Sequence, residues 1–106
     1  MCKCVKTTGG FIMKVGIIGA GRIGKVHIKN ISLFVPEMDI KTVADPFMND
    51  ATAAYCAQYG ITNTTKDAED ILNDSEIEAI IICSSTDTHS KYIIEGAKAG
   101  KHVFCE

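Results

Sequence analysis

The 106 residues are enough for one domain. Hydrophobic residues make up 46% and charged residues 23%, so a core can form. The net charge of −2, well mixed along the chain, provides neither a basic stripe for nucleic acid nor an acidic disordered tail. Tryptophan is absent and aromatics are few, which removes the stacking platform that single-stranded nucleic acid needs. No apolar run approaches the roughly 20 residues that cross a bilayer, so no membrane contact is expected.

The first stretch, Met1 to Ile12, has lysines but no apolar segment of signal-peptide length, and reads as a loose extension. The ordered domain is expected over 13–106, opening at Met13-Lys14. Val15 to Ile18 is short and apolar throughout, as in a strand buried on both faces of a parallel sheet. Arg22 to Phe34 carries Ile23, Val26, Ile28, Ile31 and Phe34 at roughly helical spacing, and Pro36 helps to stop that helix.

Ile40 to Ala44 is a second strand, and the Ala-rich Met48 to Tyr59 a helix capped by Gly60. A short strand over Ile61 to Thr64 and a short helix over Asp67 to Leu72 follow. Ala79 to Cys83 is a strand, and Asp87 to Ala99 a helix with Tyr92, Ile93 and Ala97 inward, ended by Gly100. His102 to Cys105 is the fifth strand. Regular alternation of strand and helix with short connections predicts an α/β fold: a doubly wound parallel sheet, cut after its fifth strand.

Cys2, Cys4, Cys56, Cys83 and Cys105 are odd in number and irregularly spaced. Cys2-Lys3-Cys4 is not a C-x-x-C pair, and neither a second pair nor a histidine cluster completes a metal site. They read as thiols in a reducing cytoplasm, with Cys83 and Cys105, each closing an apolar run, as small buried hydrophobes. His27 and His102 read as structural, and Lys25 and Arg22 as solvated rather than catalytic.

The strongest chemical signal is Gly19-Ala20-Gly21-Arg22-Ile23-Gly24, because it leaves a buried strand directly and opens a helix. Gly19 permits the tight turn, Gly21 lets a pyrophosphate approach the backbone, and Gly24 lets the helix pack closely. The helix N-terminus offers N–H groups and the positive end of its dipole to phosphates. The bland alternative is a merely flexible strand-to-helix turn.

Asp45 ends the second strand, about 20 to 25 residues past the glycine turn, where an acid grips ribose hydroxyls. A carboxylate there repels a 2′-phosphate and no arginine follows in sequence, which favours NAD over NADP. A strand-end turn with Pro46 is the compatible alternative. In Cys83-Ser84-Ser85-Thr86-Asp87-Thr88-His89, the polar residues at a strand's carboxyl end face the ligand crevice. Ser84, Ser85 and Thr86 can bond cofactor hydroxyls or phosphates, or Thr86 and Asp87 simply cap the next helix. From the residues alone, His89 reads equally as a surface histidine.

These segments resemble the Gfo/Idh/MocA oxidoreductase family, and within it the inositol 2-dehydrogenases. The resemblance runs from Met13 onward. It rests on Val15 to Gly24 with Val26-His27, on Val43-Ala44-Asp45, on Thr86-Asp87-Thr88-His89, and on Gly96 to Glu106, which is similar to the approach to the family's Glu-Lys-Pro motif. It implies cofactor contacts from Gly19, Gly21, Arg22, Ile23, Gly24, Asp45, Ser84, Ser85, Thr86, His89 and Glu106, the last and His89 on resemblance alone. It also implies a parent enzyme that oxidises a ring hydroxyl of myo-inositol or a related sugar by hydride transfer to NAD.

The family's catalytic lysine would follow Glu106, so no catalytic residue is expected in this chain, and no dehydrogenase activity from it alone. A sheet edge left open at the fifth strand would favour pairing between copies, hence a homo-oligomer. The alternatives are a family member acting on another sugar, an amino-sugar nucleotide or a bile pigment, and a non-catalytic nucleotide-binding or redox-sensing module.

Overall fold

The β-branched run after Lys14 becomes the middle strand of a parallel sheet. In the computed structural model, β1 (Met13–Ile18) pairs with β2 (Met38–Ala44) on one side and β4 (Ala79–Ile82) on the other. β3 (Asn63–Thr65) extends the sheet beyond β2, and β5 (His102–Cys105) beyond β4. The order is therefore β3-β2-β1-β4-β5, all parallel. This is the doubly wound arrangement expected from the alternation of elements.

The structure describes residues 12–84 and 86–105, with the side chain of Thr86 left aside. Cys2, Cys4 and the rest of the expected extension except Ile12, together with Ser85 and Glu106, lie outside the described residues.

Four helices fill the connections: α1 (Arg22–Phe34), α2 (Asp50–Ala57), α3 (Glu69–Leu72) and α4 (Thr86–Lys98). Because side chains alternate across a strand, each central strand feeds two cores. Val15, Ile17, Val43, Ala79 and Ile81 pack with Ile28 and Ile31 of α1 and Cys56 of α2. Ile18, Ala44, Ile80 and Ile82 pack with Ile71 and Leu72 of α3 and with Tyr92 of α4. Gly16 belongs to the second face: a Cβ there would meet Ile71 Cγ2 at 2.5 Å.

Several boundaries differ from the sequence expectation, each for a local reason. β1 and β2 begin two residues earlier, since Met13-Lys14 pairs with Met38-Asp39 through the backbone regardless of polarity. α2 starts at Asp50 rather than Met48 because the Asn49 side chain accepts from Thr52 N at 2.8 Å and caps the helix there. Ile61 does not join β3, which runs over Asn63–Thr65; it is buried in the core instead. Asp67 precedes α3, its carboxylate accepting from Glu69 N at 2.9 Å. β4 stops at Ile82, and α4 starts at Thr86 and stops at Lys98.

Both expected glycine stops are present. Gly60 (φ +81°) and Gly100 (φ +78°) adopt the left-handed conformation. Each carries the paired bonds of a Schellman cap: Ile61 N to Cys56 O with Gly60 N to Ala57 O, and Lys101 N to Gly96 O with Gly100 N to Ala97 O.

The inward faces of two helices are corrected. On α4, Tyr92 and Gly96 turn toward the sheet, whereas Ile93 and Ala97 are exposed. The helix seats on its glycine: a Cβ at Gly96 would meet Ile80 Cδ1 at 2.6 Å and Val103 Cγ2 at 2.9 Å, so the stripe through Tyr92 and Gly96 makes the closest approach. On α1 the buried stripe is Gly24, Ile28 and Ile31, while Ile23, Val26 and Phe34 face outward. Cys105 is also corrected. It is exposed, and Cys56 is the thiol that lies fully in the core.

Candidate functional site

The chain order reverses between β1 and β4, and at that switch the carboxyl ends of β1, β2 and β4 meet. Gly19 N donates to Ala44 O and Cys83 N donates to Ile18 O, both at 2.7 Å, so the three strand exits are tied together by backbone bonds. A crevice outside such a reversal is where open α/β sheets take ligands.

The three glycines of the turn are required for three different reasons. Gly19 sits at φ +104°, and a Cβ there would meet Ser84 N at 2.5 Å. A Cβ on Gly24 would fall on the carbonyl oxygen of Gly19. Gly24 therefore packs α1 against the turn itself, a closer constraint than the helix-on-sheet packing expected from the sequence. Around Gly21 nothing of the protein lies within 4 Å of an added Cβ, and its φ of −77° is open to any residue. The protein's own packing does not explain a glycine at this position.

The start of α1 is also bare of side-chain partners. Its N-cap is Gly21, no side chain caps it, and no acidic residue stands in its first turn. The N–H groups of that turn meet no carboxylate from the helix itself, the composition of an anion-binding helix start. Arg22 and Ile23 in this turn are exposed. Lys25, expected to be solvated, instead donates from Nζ to Ala20 O at 2.8 Å and braces the turn. Its own carbonyl accepts from the Tyr55 hydroxyl at 2.9 Å, linking α2 to α1. Burial raises the Tyr55 phenol above its usual range, so it stays the donor in this bond.

Asp45 makes the strand-end turn read from the sequence and also reaches into the glycine turn. Its Oδ1 accepts from Phe47 N at 2.7 Å, the turn with Pro46, and its Oδ2 accepts from Ala20 N at 2.7 Å, inside the glycine turn. A carboxylate has about four acceptor positions, so each oxygen keeps one after these bonds. Beside it opens a cleft of about 170 Å³ with Ile18 and Ala44 at its base and the Tyr92 ring on its wall. Lys66 and Lys91 also line this cleft. Sequence reasoning missed Lys66, Lys91 and Tyr92, because only the β3 and α4 connections bring them beside Asp45. Asp45, Asp67 and Glu69, three carboxylates, outnumber these two ammonium groups around the cleft.

On the β4 side, Ser84 Oγ and Thr88 Oγ1 lie 2.7 Å apart. His89 is half-buried, with Nε2 2.7 Å from Ser84 O and Nδ1 3.2 Å from Cys105 Sγ. The structure therefore brings Gly19, Gly21, Gly24, Asp45 and Ser84 together at the crevice and ties His89 to its rim. Among the described residues, no group of three or more His, Cys, Asp or Glu side chains could hold a metal. No described helix is long and apolar enough to cross a membrane.

A parallel sheet that reverses over a glycine turn, with an acid from β2 reaching into that turn, defines a dinucleotide-binding Rossmann domain. The chain matches the Gfo/Idh/MocA oxidoreductase family profile, described as an NAD-binding Rossmann fold, over residues 13–106, and it belongs to that family.

Among its relatives, the uncharacterized oxidoreductase YrbE of Bacillus subtilis is 46% identical over 91 residues, covering 86% of this chain and 26% of that protein. Myo-inositol 2-dehydrogenase of Thermotoga maritima is 36% identical over 94 residues, covering 89% of this chain and 28% of that protein. The structure of scyllo-inositol dehydrogenase from Lactobacillus casei with bound NAD(H) and scyllo-inositol superimposes with a TM-score of 0.79 at 28% identity, over 89% of this chain and 27% of that one. The chain thus spans little more than a quarter of the length of these relatives.

Proposed function

We propose that this chain is the cofactor-holding domain of an NAD-dependent dehydrogenase that oxidises a ring hydroxyl of myo-inositol or a related cyclic polyol. The observation that carries the cofactor half is Gly21, a glycine whose missing side chain leaves space that nothing in the protein fills. The polyol half is supported by the relatives that are inositol dehydrogenases.

In this reading the N–H groups of Gly21, Arg22, Ile23 and Gly24 hold the pyrophosphate at the α1 N-terminus. Asp45 accepts the adenosine ribose hydroxyls on the acceptor positions left by Ala20 N and Phe47 N. The cleft beside Asp45 takes the adenine against Ile18, Ala44 and Tyr92, and its excess of carboxylates disfavours a 2′-phosphate. Ser84, Ser85 and Thr86 line the nicotinamide side, with His89 and Glu106 completing it. The dinucleotide, when bound, would supply the acceptor for a hydride from the polyol's ring carbon. This chain's contribution is to fix the cofactor's position and exclude water from one side of it.

No catalytic residue is assigned within these residues. Because the chain covers about a quarter of its relatives' length, it is proposed to bind NAD without turning over a polyol by itself. A cytoplasmic location fits Cys56, Cys83 and Cys105 as thiols.

Calorimetric titration with NAD and separately with NADP tests the binding half, with NAD expected to bind and NADP much more weakly. Equal affinities would remove Asp45 from the account, and no binding of either would overturn it. Formation of NADH from myo-inositol by this chain alone would contradict the proposed division of labour.

A further inference from the structure

Cys105 and His89 make a contact that the dinucleotide reading does not use. Cys105 lies opposite Ile82 at the carboxyl end of β5, and its thiol is exposed. His89 stands in the first turn of α4. The imidazole Nδ1 is 3.2 Å from Cys105 Sγ, and Nε2 is 2.7 Å from the carbonyl oxygen of Ser84.

A carbonyl can only accept, so Nε2 carries the hydrogen in that bond. With the hydrogen on Nε2, the Nδ1 lone pair of the uncharged ring points toward the sulfur. This is the arrangement of an activated nucleophile: a thiol, a base within reach, and a third group that orients the base. The orienting group is main chain, and it is itself held in place, since Ser84 N lies against Gly19 and Ser84 Oγ lies 2.7 Å from Thr88 Oγ1. Cys56 offers the contrast within the same chain. It is fully buried, and burial pushes its thiol above the usual range.

We propose that Cys105 and His89 form a nucleophilic thiol site that is modified by soft electrophiles, with hydroperoxides as the class it meets in a cell. In the step with a hydroperoxide, the sulfur donates an electron pair to the outer peroxide oxygen. An S–O bond forms and the O–O bond breaks. The thiol proton passes to His89 Nδ1 and then to the departing hydroxide or alkoxide. Sulfur is oxidised by two electrons to a sulfenic acid, and the peroxide is reduced to water or an alcohol. With an alkylating agent the S–C bond forms, the halide leaves, and the same nitrogen takes the proton.

The site shares His89 with the proposed nicotinamide side, and the Cys105 contact itself needs no cofactor, so its test uses the full chain without nucleotide. Iodoacetamide labelling of Cys105 is followed by quenching and peptide mass mapping, in native buffer and in urea. Cys105 in the folded chain is expected to react at least about a hundredfold faster than in the unfolded chain, the lower end of what a positioned base contributes. His89→Gln is expected to remove that enhancement. Hydrogen peroxide followed by dimedone is expected to leave the sulfenic-acid adduct on Cys105. A native rate no greater than the unfolded rate would overturn the proposal, and that comparison needs no variant. So would a His89→Gln chain that keeps its far-ultraviolet circular dichroism and its full labelling rate. Failure to trap dimedone at Cys105 would remove hydroperoxides as the class.

Discussion

The two ends of the sheet treat polarity in opposite ways. At the amino end, charges meet partners inside the chain. Lys41 Nζ lies 2.6 Å from the Asp74 carboxylate and 2.9 Å from Glu76, and Lys14 lies 3.4 Å from Asp39. Lys101 Nζ donates to the carbonyls of Asp74 and Ile77, both at 2.7 Å. The register of β1 against β2 shifts between Val15 and Gly16, passing over Lys41.

At the carboxyl end the corresponding groups are a helix start without a side-chain cap, a glycine with open space beside it, and a carboxylate with acceptor capacity left over. One end is satisfied by its own residues and holds the fold. The other leaves directional backbone groups for something that is not protein, which is where the class of function can be read.

The sharpest way to break this contrast is Gly24→Ala. Its Cβ meets a backbone carbonyl that has no rotamer to escape into. We expect a loss of about 3 kcal/mol, at the upper end for overpacking, measured by denaturant unfolding, together with loss of NAD binding. Next comes Gly21→Ala, one turn earlier. Unfolding stability should stay within about 0.5 kcal/mol, as for an open surface site. NAD affinity should fall about tenfold or more, which is 1.4 kcal/mol or above. Similar losses of stability in both variants would mean that the two glycines do one job.

Asp45→Asn sharpens the comparison further. The single amide oxygen can keep only one of the bonds from Ala20 N and Phe47 N, so a stability loss of about 1 kcal/mol is expected, while calorimetry should show weaker NAD binding and a smaller gap between NAD and NADP.

The smallest effects lie at the amino end and in the core. The Lys41 ammonium beside it holds the Asp74 carboxyl below its usual range, and Asp74 in turn raises the Lys41 ammonium. A depressed acid contributes stability that is present above its unfolded value of about 3.9 and is lost as pH falls through the lower folded value. Thermal unfolding of Asp74→Asn should therefore differ from the unsubstituted chain at neutral pH and converge with it in strong acid. On the alkaline side, the buried Cys56 thiol is raised. Its contribution is complete below about pH 8.5, where an unfolded thiol begins to ionise, and is lost as pH climbs toward the folded value. Cys56→Ala should flatten that alkaline decline.

Much of this was legible from residue order. The glycine turn, Asp45 at the end of β2 and the two glycine caps are local signals, each set by a backbone conformation or a short spacing, and the structure places each where the sequence pointed. The cleft beside Asp45 was not legible. Tyr92, Lys66 and Lys91 lie 21 or more positions beyond Asp45 and reach it only through the topology of β3 and α4. Helix facing failed for a related reason. Ile93 and Ala97 looked inward by hydrophobicity, but Gly96 permits the closest approach to Ile80 and decides which face docks. Cys105 reads as the last apolar residue of a strand, yet its place at the sheet edge exposes it beside His89.

The most direct test of the central claim is an NMR titration of the labelled chain with NAD, followed residue by residue through its backbone amides. We predict that the amides of Gly19 to Gly24, Asp45 and Ser84 shift and saturate together, while those of Lys41, Asp74 and Lys101 stay in place. Shifts centred on the amino end, or none at saturating NAD, would contradict the account.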